Sequence, residues 1–312
     1  MDEKLQETVK EVIEFLRILQ DESPNNVVSI YFCEKRVQDK YRSFKPQVSN
    51  ELQKKILDLI LQPLLKSLIL PVVQYNPVGV LDEENELIAP TQVPCLDKFM
   101  ESIKEDNLIT EMNQINIQKI SFYCIKISFH GKQLFLFRRF TKMSRLRKGL
   151  LSQLVQNELI ELDKNFLGID EMTDMVLKDA GLLIINHISL ERIFNYRDEF
   201  QEMTNQAIKR ITDEGMMANI EHFSEDCLND VRIMKRFTNL MSKERLPLFF
   251  DNYDRVPGIV KNLGLDIEFD EEGKIIYRDK SQLFHIIHLM SDSYFKSLIA
   301  ARIGVAEMEG NI

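Results

Sequence analysis

The 312 residues carry 40 Lys and Arg against 49 Asp and Glu, a formal charge of −9, with 44% apolar and 29% charged residues. That balance excludes an intrinsically disordered chain, a collagen and a disulfide scaffold; only 11 Gly and 9 Pro, beside many Leu, Ile, Glu and Lys, favour a helix-rich mixed fold. The length suffices for one large domain or two of middle size.

Residues 3–20 place Leu5, Val9, Val12, Ile13, Leu16 and Leu19 at helical spacing, and Asn25-Asn26 ends that helix. A strand is expected over 27–32, then a charged hairpin arm or loop over 34–45. The apolar run 56–73 contains Asp58, Gln62, Pro63 and Lys66. It is too charged for a bilayer span, where Pro63 would also break a short helix in two, and it reads as part of one long buried amphipathic helix over 48–70. Five of the nine prolines (63, 71, 77, 90 and 94) and the acidic run 82–86 mark residues 71–95 as a surface connection and a candidate domain seam. A short helix follows over 96–108.

From Lys119 the apolar period becomes two. Ile120, Phe122, Cys124, Ile125 and Ile127 lead to His130-Gly131-Lys132, and 134–137 is Leu-Phe-Leu-Phe, a β-hairpin turning at Gly131. Strands are expected at 158–162, 175–177 and 182–185. Helices follow near 188–195, 197–213, 224–241 and 244–262. A hairpin turns at Glu271-Glu272-Gly273, and a last helix begins near Ser281. The order predicts an α+β fold: an α/β region over 1–110, a central antiparallel sheet, and a helix-rich C-terminal half within 111–312.

No short motif names a reaction or a cofactor. The phosphate-binding Gly-x-x-x-x-Gly-Lys-Ser/Thr, Gly-x-Gly-x-x-Gly, His-Glu-x-x-His and Gly-x-Ser-x-Gly are all missing. A metal-dependent nuclease would need converging carboxylates, and the nearest set is Asp270 with Glu272 and Lys274 on a turn. His285 and His288, three apart on one helix with Asp292 nearby, have zinc-chelating spacing, but they also flank a core stripe. His187 and Asp174 are a further possible pair across the sheet. The amino terminus shows no basic lead and apolar core, and Cys33, Cys95, Cys124 and Cys227 are scattered; both features point to reduced thiols in the cytoplasm.

The charge distribution is more informative. Residues 112–156 contain no Asp or Glu, where the chain average would place about seven. They hold nine bases: Lys119, Lys126, Lys132, Arg138, Arg139, Lys142, Arg145, Arg147 and Lys148. Six of these fall within 138–148, interrupted by Phe140, Met143 and Leu146. Such a band attracts polyanions through counterion release, and Phe140 beside two arginines offers surfaces for phosphates or bases. The other reading is an exposed hairpin edge with gatekeeping charges, salt-bridged to the acidic C-terminal half. A weaker cluster, Lys35, Arg36, Lys40, Arg42 and Lys45, is interleaved with Glu34 and Asp39. The nucleic-acid-binding set expected from charge is Lys132, Arg138, Arg139, Lys142, Arg145, Arg147 and Lys148. No metal and no catalytic set is assigned.

Several segments also carry a resemblance. Leu136-Phe-Arg-Arg-Phe-Thr-Lys142 is followed by Asp174-Met-Val-Leu177, Gly181-Leu-Leu-Ile-Ile185, Leu190-Glu-Arg-Ile-Phe194-Asn-Tyr196 and Leu289-Met-Ser-Asp-Ser-Tyr294. In this order they resemble the KwaB family of the two-protein Kiwa anti-phage defence system of bacteria. The resemblance implies a cytoplasmic DNA-binding effector that self-associates as a homodimer. It also implies a membrane protein, KwaA, as partner, holding the effector at the inner membrane. It brings no catalytic residues, so the alternative of a metal-dependent nuclease acting on invading DNA stays open.

Overall fold

The computed structural model describes residues 3–21, 28–36, 40–79, 84–109, 111, 114, 116–140, 152–155, 158–161, 167–296 and 303–306. The chain divides into two compact units, Met1–Tyr75 with Gly79–Tyr196, and Asn76–Val78 with Arg197–Ile312.

The first unit contains, in chain order, α1 (Glu3–Asp21), β1 (Val28–Lys35), β2 (Tyr41–Phe44), α2 (Asn50–Ser67), β3 (Val72–Gln74), β4 (Asn85–Ile88) and α3 (Leu96–Ser102). Then come β5 (Ile120–Phe129), β6 (Lys132–Arg139), β7 (Ser152–Val155), β8 (Glu158–Glu161), β9 (Met175–Lys178), β10 (Gly181–Ile184) and α4 (His187–Ile193). Eight of the strands form one sheet in the order β2-β1-β5-β6-β9-β10-β4-β3, antiparallel except for β3 beside β4, while β7 and β8 pair separately. The fold class is thus the α+β arrangement expected. Strands from both sides of residue 110 share this sheet, because β1 pairs with β5 and β4 with β10. The boundary anticipated at 110 lies inside one compact unit.

Both faces of the sheet are covered, which explains the unbroken apolar run of β6. Leu134 and Leu136 face α1 and α2, joining Val12, Leu16, Ile56, Ile60 and Leu64. Phe137 points the other way, into a ring cluster with Phe99 of α3, Phe122 and Phe194. A strand buried on both sides has no polar alternation to show. Helix α1 lies so close over β10 that a Cβ at Gly181 would stand 2.8 Å from Thr8 Cγ2. The β5–β6 turn uses His130 (φ 47°) and Gly131 (φ 77°), two positive values that suit the twist of a tight hairpin.

The long helix expected over 48–70 is α2, which runs through Pro63 from a Ser49 cap accepting the Leu52 amide at 3.3 Å. The carbonyl that loses its partner belongs to Leu59, an exposed residue, where water can replace the bond. One expectation needs correction here: the acidic run is not all surface, since Asn85 and Glu86 are buried in β4.

The second unit holds α5 (Tyr196–Asp213), β11 (Met217–Ala218), α6 (Ile220–Asn229), α7 (Val231–Ser242), α8 (Arg245–Asp251) and α9 (Val256–Leu263). It continues with β12 (Glu268–Phe269), β13 (Ile275–Ile276), α10 (Leu283–Met290) and the hairpin β14 (Tyr294–Lys296) with β15 (Ile303–Val305). The helices surround Phe223, Phe237, Leu246, Ile286 and Tyr277. Each of the two long helices expected here is a pair. Asp230 turns out of helical conformation (φ −118°, ψ 110°) and caps α7 by accepting the Arg232 amide at 2.9 Å. Asn252 (φ −117°, ψ 18°) ends α8 without a side-chain cap, and a 3₁₀ turn over Tyr253–Arg255 leads into α9, whose second residue is Pro257.

Candidate nucleic-acid interface

The cationic band begins on β6. Lys132 opens the strand at the hairpin tip and is exposed. Arg138 and Arg139 close it six and seven residues later. At about 3.3 Å per residue this separates Lys132 from Arg138 by roughly 20 Å. Lys132 and the two arginines are therefore at opposite ends of one strand and form no single patch. Lys142, Arg145, Arg147 and Lys148 lie outside the described residues.

Arg138 is not a free cation, and here the expectation from charge is corrected. Its Nε and Nη2 donate to Asp170 at 2.9 and 2.8 Å, and its Nη1 donates to Asp174 at 2.8 Å. The second Asp174 oxygen accepts the Arg139 amide at 2.7 Å. Tyr123, opposite Arg138 across the strand pair, also shares its hydroxyl with Asp170. Burial works against the charged guanidinium, but the bonds to the two carboxylates outweigh it and hold the arginine protonated. The side chain is 16% exposed and Asp174 only 2%. The Asp174 carbonyl further accepts the Ile185 and Asn186 amides. Arg138 and Asp174 thus staple the end of β6 to the beginning of β9 and the end of β10. Arg139 keeps its guanidinium outside this staple, with Nη1 buried and unbonded among the described residues.

The weaker cluster is largely committed as well. Lys35 donates to the Arg192 carbonyl and the Asn195 side chain at the end of α4, Arg36 pairs with Glu34 at 3.0 Å, and Arg42 donates to the Gln114 carbonyl.

The acids weighed for metal chemistry have other partners. Asp270 accepts the Glu272 and Lys274 amides and shapes the hairpin turn, while Glu272 pairs with Lys274. His285 bonds Tyr294 at 2.7 Å, and His288 is buried. Among the described residues no three His, Cys, Asp or Glu converge to hold a metal ion. No helix among them is long and apolar enough to cross a membrane.

Sequence reasoning missed one polar cluster. His187 does not meet Asp174; it bridges Glu86 at 2.6 Å and Glu191 at 2.7 Å, with the Tyr75 ring stacked 5.3 Å away. The i,i+4 spacing of His187 and Glu191 was the only available signal, since Glu86 is 101 residues distant. Burial opposes the imidazolium, but the hydrogen bonds and charges of Glu191 and Glu86 prevail and push its pKa up to about 9. A folded-state pKa above the unfolded value of about 6.5 gives stability that is complete below pH 6.5 and is lost as pH rises through 9. Urea unfolding is expected to weaken by up to about 3 kcal/mol between pH 6.5 and 9.5, and His187→Gln is expected to flatten that dependence. An equally steep loss in the variant would assign it to other groups.

A family model described as "Kiwa protein KwaB-like" matches residues 117–300, well over half of the chain. The match spans β5, β6, the Arg138 staple and most of the second unit. No curated protein matches, and no solved structure does.

Proposed function

The chain belongs to the Kiwa protein KwaB-like family, and from that premise we propose that it is the DNA-binding effector of Kiwa anti-phage defence, reading phosphate backbone rather than base sequence. Membership makes it a component of that defence system. The carrying observation is the acid-free stretch 112–156, whose nine bases leave −18 on the rest of the chain. A body of that charge repels DNA everywhere except at the band, which yields a defined footprint. Arg139, Lys142, Arg145, Arg147 and Lys148 make the phosphate contacts. Arg138 serves as the internal anchor of the strand end that leads into them. Lys132, at the far tip, reaches a separate phosphate or none. Arg and Lys without an accompanying Asn/Gln reading helix bind backbone and carry no base code.

A homodimer doubles the footprint, and the membrane protein KwaA is the partner that holds the effector at the inner membrane from the cytoplasmic side. The test is binding to double- and single-stranded DNA across a salt titration, with and without Mg²⁺. Log K is expected to fall linearly with log salt, at about 0.9 per phosphate contacted on duplex. Affinity that ignores salt would remove the phosphate mechanism, and cleavage that requires Mg²⁺ would make the protein a nuclease instead.

A further inference from the structure

Away from the arginine end of β6, the far end of the same sheet face holds two cations with no acid paired to them. Lys126 of β5 places its Nζ over the Phe135 ring at 5.7 Å, and Lys45, in the link from β2 to α2, places its own over Tyr31 at 5.9 Å. Both rings are buried, so each ammonium rests on a fixed platform. A ring face attracts a cation without cancelling its charge. Among the described residues neither lysine has a carboxylate at ion-pair distance. The charge of Glu105 reaches the Tyr31 hydroxyl, but Glu105 pairs with neither lysine.

Ser29 pairs with Lys126, and Tyr31 stands two residues on along β1, so the two lysines mark neighbouring rows about 7 Å apart on one face. Beside them a groove of about 430 Å³ between β1 and the start of α2 is walled by Val28, Ser29, Lys45, Gln47, Val48 and Gln53, and no carboxylate is among its lining residues. Gln53 is already engaged, accepting the Val28 amide and donating to the Val48 carbonyl. The side chains left without a hydrogen bond on this wall, Ser29, Gln47 and Lys45, can all donate one. Arg139 pairs with Phe122, four residues back from Lys126 along β5, so it shares this face at roughly 13 Å.

We propose that Lys126 and Lys45, with Ser29 and Gln47 beside them, form a second contact for the phosphate backbone of DNA, separate from the one that begins at Arg139. This rests on the reading of the chain as a DNA-binding protein and adds two cations outside the set expected from charge. Lys126 belongs to the acid-free stretch, and Lys45 is the member of the weaker cluster that stays unpaired while Lys35, Arg36 and Arg42 are committed. Ammonium groups already held against rings lose less freedom on meeting a phosphate, and a wall of donors without a carboxylate suits its charged oxygens. Sites more than about 10 Å apart contribute independently, so a loss at this end adds to a loss at Arg139.

The test is duplex DNA binding by the full-length protein across a salt series. Lys45→Gln with Lys126→Gln is expected to lower affinity about tenfold at low salt and to reduce the slope of log K against log salt by about 1–2, with residues 139–148 intact. Lys45→Arg with Lys126→Arg keeps both charges and is expected to retain the slope. Lys55→Gln with Lys274→Gln removes the same charge from lysines already paired with Glu51 and Glu272, and is expected to leave affinity and slope unchanged. Equal loss in that control would reduce the effect to net charge, and a slope lost in the Arg pair would reduce it to packing; either overturns the second contact. An unchanged slope in the Gln pair would overturn it too, while leaving the band around Arg139 standing. A parent that binds no DNA would fail the underlying reading, and this inference with it.

Discussion

Replacing Arg139, Lys142, Arg145, Arg147 and Lys148 together by Ala is expected to lower affinity for duplex DNA about a hundred- to a thousand-fold at low salt and to flatten the salt slope by up to about 4–5 units. Each lost phosphate contact removes roughly 0.9 from the slope, so the size of the change counts the contacts. Lys132→Ala is expected to change the slope by about 1 at most, because its place at the other end of β6 separates it from the rest of the band. Arg138 is left out of the variant on purpose. Its removal would damage the fold, and weaker binding would then say nothing about phosphate. Fluorescence anisotropy across a salt series, with unchanged thermal unfolding as the control, reads the effect. A slope that stays where it was would take these five residues out of the interface.

The second large effect concerns stability. Arg138→Ala is expected to destabilise the protein by about 3–5 kcal/mol, because Asp174 would be left as a buried carboxylate with no cation beside it. For a unit of this size that corresponds to a fall in melting temperature on the order of 10 °C. Arg138→Lys should lose less, since the charge persists while the two-pronged grip on Asp170 is lost. Removing charge from both sides, as in Arg138→Met with Asp174→Asn, should cost less than Arg138→Ala alone, because Asn still accepts the Arg139 amide. Urea denaturation of the three variants orders them. If Arg138→Ala were as stable as the parent, the staple would be dispensable. Within the folded range, the DNA salt slope of Arg138→Lys should match that of the parent.

These two arginines show where a reading along the chain stops. In sequence, Arg138 and Arg139 are indistinguishable members of a band without acids, since Glu111 and Glu158 are the nearest carboxylates on either side. The sheet pairs β6 with β9, and that pairing carries Asp170 and Asp174, 32 and 36 residues away, onto Arg138. Linear charge density therefore located the band but overstated how much of it is free. The same mechanism hid Glu86, which reads as part of a solvated acidic run and instead sits buried against His187.

Features with short periods were readable from the chain alone: the helices α1 and α2, the tight hairpin at Gly131, the α+β class, the net charge and the carboxylate-free stretch. They follow from neighbours within a few residues, whose spacing settles which face is apolar and where the backbone can reverse. Which ions are spent on each other, where the unit boundary falls and how both faces of the sheet come to be covered required the folded molecule, because each depends on strand pairing between distant segments. Packing, and not sequence neighbourhood, sets the distance between two charges. At hydrogen-bond distance in a partly buried site, that separation determines whether a cation is available to a partner or already bound.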